Sequence, residues 1–165
     1  AKRPVALVSS WGSNEELAAF KAALGARFTT LVKRDWQPHP GERLEDEFLI
    51  RPDKNPNGAA ARALFGDTPG TLPADADLVL VWGEGTNFAD LPRGARTILL
   101  GSYLAPENGH ADVFLPISIQ TERAGHYTNF AGVVSAFQPC FPRPAGVADA
   151  ADLFAALAQP QAVTA

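Results

Sequence analysis

The 165-residue sequence contains a single cysteine, Cys140. One thiol makes no internal disulfide, and it cannot hold an iron–sulfur cluster, which needs about four cysteine-type ligands. Long apolar runs are also missing: none approaches the roughly 20 residues of a membrane span. There is no signal-peptide pattern, because Ala1-Lys2-Arg3-Pro4 leads straight into an apolar run. Nor is there an excess of positive charge. A formal charge of −4 gives no electrostatic footprint for nucleic acid or anionic lipid. Catalytic signatures are absent as well: no G-x-S-x-G elbow, no H-E-x-x-H and no P-loop. The three histidines, His39, His110 and His126, are spread among loop-like stretches. These absences leave no catalytic residue and no metal ligand to nominate. They exclude electron transfer by this chain alone, give no composition signal for flavin or haem, and make a cytoplasmic setting the default. The chain does not begin with Met, which suggests trimming or an excised piece of a longer chain.

What is present is ordinary for a globular protein: 46% hydrophobic and 19% charged residues. The length is a prior for one domain, and a chain of this size buries roughly 70% of its unfolded surface. Val5-Ala6-Leu7-Val8 reads as a buried parallel strand. Ser13-Asn14-Glu15-Glu16 fits a capping box, with Ser13 as N-cap. Leu17, Phe20 and Leu24 recur at helical spacing, and Gly25 stands where a terminating glycine belongs. Phe28 to Lys33 resumes strand composition. A right-handed crossover makes this strand–helix–strand unit the seed of a parallel sheet. Asp77 to Trp82 is a third strand, Ala95 to Leu100 a fourth, and Asp112 to Leu115 adds a fifth. Near the end, Ala150, Leu153, Phe154 and Leu157 form one helical face, with Asp149 and Asp152 in its first turn and Pro160 closing it. The predicted fold is α/β: a mostly parallel, Rossmann-like sheet of four to five strands with helices on both faces.

Loops after the first and third strands are the general ligand positions in such sheets. The first is not G-x-G-x-x-G, and Glu15 and Glu16 would repel an anion. Its residues are accounted for by helix capping. The second, Gly83-Glu84-Gly85-Thr86-Asn87, holds only a short G-x-G with an acid inside it. Between them, Asp35 to Asn57 is a long polar stretch with one apolar island, Phe48-Leu49-Ile50, that packs down or forms an edge strand. Its acids Glu42, Glu45, Asp46 and Glu47 lie near His39 but interleave with Arg43 and Arg51 without ligand spacing, so they read as a solvated loop. Asn55 or Asn57 can cap a helix from Ala59 to Phe65, ended by Gly66. Asp67-Thr68-Pro69-Gly70 reads as a turn.

The stretch from His110 to Phe137 starts as a strand that stops, or lies at an edge, at Pro116. It continues as a hairpin or wide loop, with Gly125 and Gly132 free to take positive φ. His110 and Asp112 would share a strand face and, with Glu122, make a conceivable acid–base site. Without a nucleophile or metal, a surface His110 is the plainer reading. Glu122, Arg123 and Asn129 read as residues that fix the turn, with Arg123 pairing Glu122 or Glu107 at the surface. Cys140, between prolines 139 and 142, reads as a plain small residue in a loop.

Three stretches carry a resemblance. Ala111-Asp112-Val113-Phe114-Leu115-Pro116, then Glu122-Arg123-Ala124-Gly125-His126-Tyr127-Thr128-Asn129, resemble the A-D-V-V-L-P and E-K-D-G-T-[FY]-x-N segments of molybdopterin oxidoreductases. Glu45 to Asn57, EDEFLIRPDKNPN, is similar to the E-D-x-x-L-I-R-x-D-K-N-P-N of the large iron–sulfur subunit of bacterial NADH:quinone oxidoreductase, respiratory complex I. Ser13-Asn14-Glu15-Glu16 resembles the S-N-E-E of the same branch. The family's next segment, E-G-R-V-Q, is Ala131-Gly132-Val133-Val134-Ser135 here, without its Glu, Arg and Gln. In relatives that bind the cofactor, polar groups in this region help hold the pterin.

The resemblance implies that residues 1–165 are the C-terminal, molybdopterin-oxidoreductase-like domain of such a subunit. In that family electrons pass from NADH to quinone through iron–sulfur clusters held near the other end of the subunit. The implied role is a structural module without a cofactor. Its implied partners are the remainder of the subunit and other peripheral-arm subunits, with no nucleic acid and no direct membrane insertion. The implied location is cytoplasmic, peripheral to the inner membrane through the complex. No cofactor-binding residue is expected; were a ligand retained, the candidates are Ser13, Asn14, Gly83, Gly85, Glu122 and Asn129. Two alternatives stand beside this: a fragment of a molybdenum oxidoreductase that grips molybdopterin guanine dinucleotide, and a free-standing Rossmann-like protein with a small soluble ligand.

Overall fold

Five short apolar runs become the strands of one parallel sheet. The computed structural model describes residues 1–33, 40–41, 45–48, 53–67 and 71–159. The strands are β1 (Pro4–Val8), β2 (Thr29–Val32), β3 (Leu78–Trp82), β4 (Arg96–Gly101) and β5 (Val113–Pro116). Their order is β2-β1-β3-β4-β5, and every neighbouring pair is parallel. This is the α/β, Rossmann-like architecture anticipated from the strand–helix alternation. Pro116 ends β5 at the sheet's edge, where its missing N–H costs no ladder bond.

Alternation along the strands divides the core into two layers. Ala6, Val8, Leu80, Trp82 and Leu100 face one way; Val5, Leu31, Val79, Val81 and Leu99 face the other. The two faces are covered unequally. The helices expected on both faces lie on one: the three α-helices of the described residues, α1 (Asn14–Leu24), α2 (Gly58–Phe65) and α3 (Ala150–Ala158), pack on the first through Leu17, Phe20, Leu24, Ala61 and Phe154. The second is covered by the 3-10 turn Phe88–Asp90 and its neighbour Leu91, together with Leu72, Ala76 and Ala111. Phe20, Trp82 and Phe154 form an aromatic cluster in the first layer. Phe154 sits edge-on to both, with ring centroids 5.2 Å from Phe20 and 4.9 Å from Trp82. On the expected face of α3, Ala150 and Phe154 are fully buried and Leu153 packs beside them, whereas Leu157 lies at the rim.

The second sheet is a hairpin of β6 (Gly125–Thr128) and β7 (Val134–Phe137). Its turn is held by Asn129, whose Oδ1 accepts from the N–H groups of Ala131 and Val133 at 2.9 and 3.0 Å. Gly132 takes a φ of 80°, as its turn position requires. Gly125 does not need positive φ. It is there because a Cβ would come within 2.8 Å of the Ser13 Cβ, so any side chain would push the hairpin off α1.

Local expectations were met unevenly. The Ser13–Glu16 capping box is present in both directions. Gly25 ends α1 but in right-handed conformation (φ −56°), bonded back to Phe20 and Lys21, so it acts by fitting against the Lys21 carbonyl and not by a left-handed turn. Asn57 occupies the N-cap position of α2, yet its side chain makes no cap bond, because it is drawn to α1 and the hairpin. Arg123 pairs with neither Glu122 nor Glu107; it turns inward to Glu16. Phe48 is exposed, while Leu49 and Ile50 lie outside the described residues. So do His39 and Glu42 of the acidic loop, 68–70 of the predicted turn, and Pro160. Among the described residues no helix is long and apolar enough to cross a membrane.

Candidate functional site at the carboxyl ends of the strands

Two regions lie side by side where the strands end. The first is a seam of polar groups beneath the hairpin. Asn57, with no exposed surface, donates through Nδ2 to the Gly12 carbonyl at 2.7 Å and to Asn14 Oδ1 at 3.0 Å. Its Oδ1 accepts from the Thr128 N–H at 2.7 Å. Asn14 Nδ2 donates to Thr128 Oγ1 at 3.0 Å, closing the ring. Arg123 reaches Glu16 at 3.1 Å, with side chains only 9% and 4% exposed. The same guanidinium donates to the carbonyls of Ser118 and Trp11. Tyr127 donates to the Trp11 carbonyl at 2.9 Å.

Burial pushes the Glu16 carboxyl above the ordinary glutamate range, against the pull of the neighbouring Arg123 charge and the Ser13 hydrogen bonds. Burial likewise raises the Tyr127 phenol. At the rim, desolvation of Glu15 is outweighed by hydrogen bonds from His126, which hold its carboxyl below the ordinary range. In the same way, burial of Asp53 is outweighed by Arg62 and Asn55.

The second region is a cleft of about 400 Å³. It opens where the chain leaves β1 and β3, the strands between which a sheet of this order reverses direction. Gly12, Trp82, Gly83 and Gly85 line it, together with Trp11 and Tyr103. Gly83 and Gly85 have φ of 87° and 80°, which lets the loop fold back beneath the opening. Glu84 Oε1 accepts from the Ser102 N–H at 2.5 Å and its hydroxyl at 2.7 Å, fixing that carboxylate to the end of β4. Glu107, on the 3-10 turn Pro106–Asn108, is exposed at the cleft's edge and pairs with no other described residue.

The candidate positions therefore separate. Gly83 and Gly85 line the cleft. Ser13 and Asn14 belong to the seam and the α1 cap. Asn129 holds the hairpin turn, and Glu122 accepts from the Ile119 N–H at 3.2 Å. His110 and Asp112 form no pair with Glu122. Asp112 instead binds the Thr97 N–H and hydroxyl, which hold its carboxyl below the ordinary range. No group of three or more metal-ligating side chains gathers among the described residues. Sequence reasoning missed Asn57 as a hub, the Glu16–Arg123 pair, and Tyr103 and Glu107 as cleft residues. The available signal was indirect: Glu16 and Arg123 each lie in a motif stretch, but nothing in either stretch names the other.

A pterin dinucleotide is a poor match for this lining. Its phosphates would meet Glu84 and Glu107, and Arg123 is already engaged by Glu16 and the carbonyls of Ser118 and Trp11. The α1 N-terminus is likewise closed to an anion: Ser13 and Glu16 satisfy each other's N–H groups, and Glu15 stands beside them.

Fold and cleft together define a parallel α/β domain with an opening at its strand-reversal point. Set against models of protein families and against curated proteins, the sequence matches none.

Proposed function

We propose that this chain is a structural, cofactor-free module of an NADH:quinone oxidoreductase. In this reading residues 1–165 form the C-terminal, molybdopterin-oxidoreductase-like domain of its large iron–sulfur subunit, whose clusters are held elsewhere. The observation that carries the reading is the convergence of the motif stretches. Asn14 and Glu16, Asn57, and Arg123 and Thr128 come from three separate motifs and meet in one seam, where Asn14, Asn57 and Thr128 bond to one another and Glu16 pairs with Arg123. Polar groups engaged this way stabilise a scaffold and are not available to a ligand.

The module's partners are the rest of the subunit and other peripheral-arm subunits, which keep it on the cytoplasmic side of the inner membrane. A surface suited to such packing is the strip 129–142, which has no charged residue and is exposed except at Phe137. It presents Phe130, Val133, Val134 and Phe141 to solvent.

Two measurements test the reading. Metal and pterin analysis of the purified protein should find neither; stoichiometric molybdenum or tungsten with a pterin would refute it. Cross-linking of membranes from the source cells should join the strip to peripheral-arm subunits, and a protein recovered without any of them would count equally against it.

A further inference from the structure

We propose that the cleft between β1 and β3 binds a small organic ammonium ion with an apolar face. This goes beyond the structural role, which rests on the seam and stands whether or not the cleft is filled. The volume of about 400 Å³ lies within the range of small-ligand sites, roughly 300–1,000 Å³. Its lining carries two aromatic side chains left open to solvent, Trp11 at 43% and Tyr103 at 57% exposure. Rings of this kind attract a cation through the negative face of the π-system.

The charges around the cleft favour the same sign of ligand. Two carboxylates are in its described lining, Glu84 and the exposed Glu107. Among the described residues two cations lie near, Arg123 and Lys33, and both point into protein acceptors. Arg123 binds Glu16 and the carbonyls of Ser118 and Trp11, and the Lys33 amine binds the Glu84 carbonyl from behind Gly83. Glu107 is left without an ion-pair partner among the described residues. Gln120, exposed in the lining, adds a polar group for orienting the ligand. Among the described residues an anion would gain no free donor of full charge here, whereas an ammonium ion would gain the Glu107 carboxylate and the exposed Trp11 and Tyr103 side chains.

The test is a titration of the isotopically labelled protein followed by backbone amide shifts, with benzyltrimethylammonium as probe. Saturable shifts are expected at Gly12, Gly83, Gly85 and Tyr103, weakening as salt is raised. Neutral benzyl alcohol and anionic benzoate should move these amides little. Glu107→Gln should weaken the cation about threefold, the scale of one partly screened charge pair, and Tyr103→Ala should weaken it further. Equal response to benzyl alcohol would overturn the proposal, because charge would then be irrelevant. So would preference for benzoate, no saturable shift at all, or unchanged affinity in both variants. None of these outcomes touches the seam, so the structural reading stands or falls by its own measurements.

Discussion

The seam and the cleft are neighbours at one end of one sheet, and they share Trp11, Gly12 and Arg123, yet they handle polarity in opposite ways. In the seam, Asn57, Asn14 and Thr128 bond to one another and Glu16 pairs with Arg123, although Glu16 Oε1 and Arg123 Nε are buried without a hydrogen-bond partner. In the cleft, aromatic faces and a carboxylate are left toward solvent. Buried polar groups that satisfy one another fix a single arrangement, since each alternative leaves a group unpaired at a cost of several kcal/mol for an ion. Exposed groups without protein partners do little for stability and remain free to meet something else. Polar residues at the ligand-bearing end of an α/β sheet are therefore not evidence of a ligand until their partners are known.

The comparison breaks most sharply at Arg123. Arg123→Met should cost about 3–5 kcal/mol in urea unfolding, because it strands the buried Glu16 carboxylate. That deficit should depend on pH in a set direction. Burial raises the folded pKa of Glu16, so the charged carboxylate disfavours folding above that pKa and the penalty disappears below the ordinary value of 4.5. Without Arg123 the folded pKa rises further. The gap between variant and parent should then be widest near neutrality and shrink as the pH is lowered toward 4.5. Glu15 and Asp53, whose carboxyls are held low, lose their contribution in acid, but equally in both proteins. A gap that widens in acid would show that Glu16 is not the stranded group.

Asn57→Ala should come next, at about 2–3 kcal/mol, since it leaves the Thr128 N–H and the Gly12 carbonyl without their buried partner. Hydrogen exchange at Thr128 should accelerate more than exchange in β3; uniform acceleration would mean the hairpin is not fastened at this point. Gly125→Val should cost about 1–3 kcal/mol by forcing β6 away from Ser13 and Glu15, read as lost protection along β6. His126→Ala should cost less than about 1 kcal/mol, since it and Glu15 are each half exposed. Smallest of all, Glu107→Gln should leave the unfolding midpoint within about 0.5 kcal/mol of the parent. A larger change there would move Glu107 from the cleft's account to the scaffold's.

Much of the fold was legible in local pattern. The strands at Val5–Val8, Asp77–Trp82 and Ala95–Leu100 declare themselves as short apolar runs, and the Ser13–Glu16 box as a helix start. Both signals act between residues close in sequence, which is where pattern reading is strong. The expectation of helices on both faces failed, because α1, α2 and α3 each have an apolar side that says nothing about which face receives it. Asn57 shows the same limit: its position promised a cap, and a stronger set of partners from α1 and β6 took its side chain instead.

By itself the sequence determined which segments could be strand or helix, where the helices could begin, and that no set of cysteines could hold a cluster. Those are properties of composition and of neighbours within a turn or two. Only the tertiary structure decided that Glu16 meets Arg123, that Asn57 bridges helix and hairpin, and that Trp11, Tyr103 and Glu107 frame one opening. Contacts between distant segments depend on how the layers pack, and packing is settled by the whole core at once.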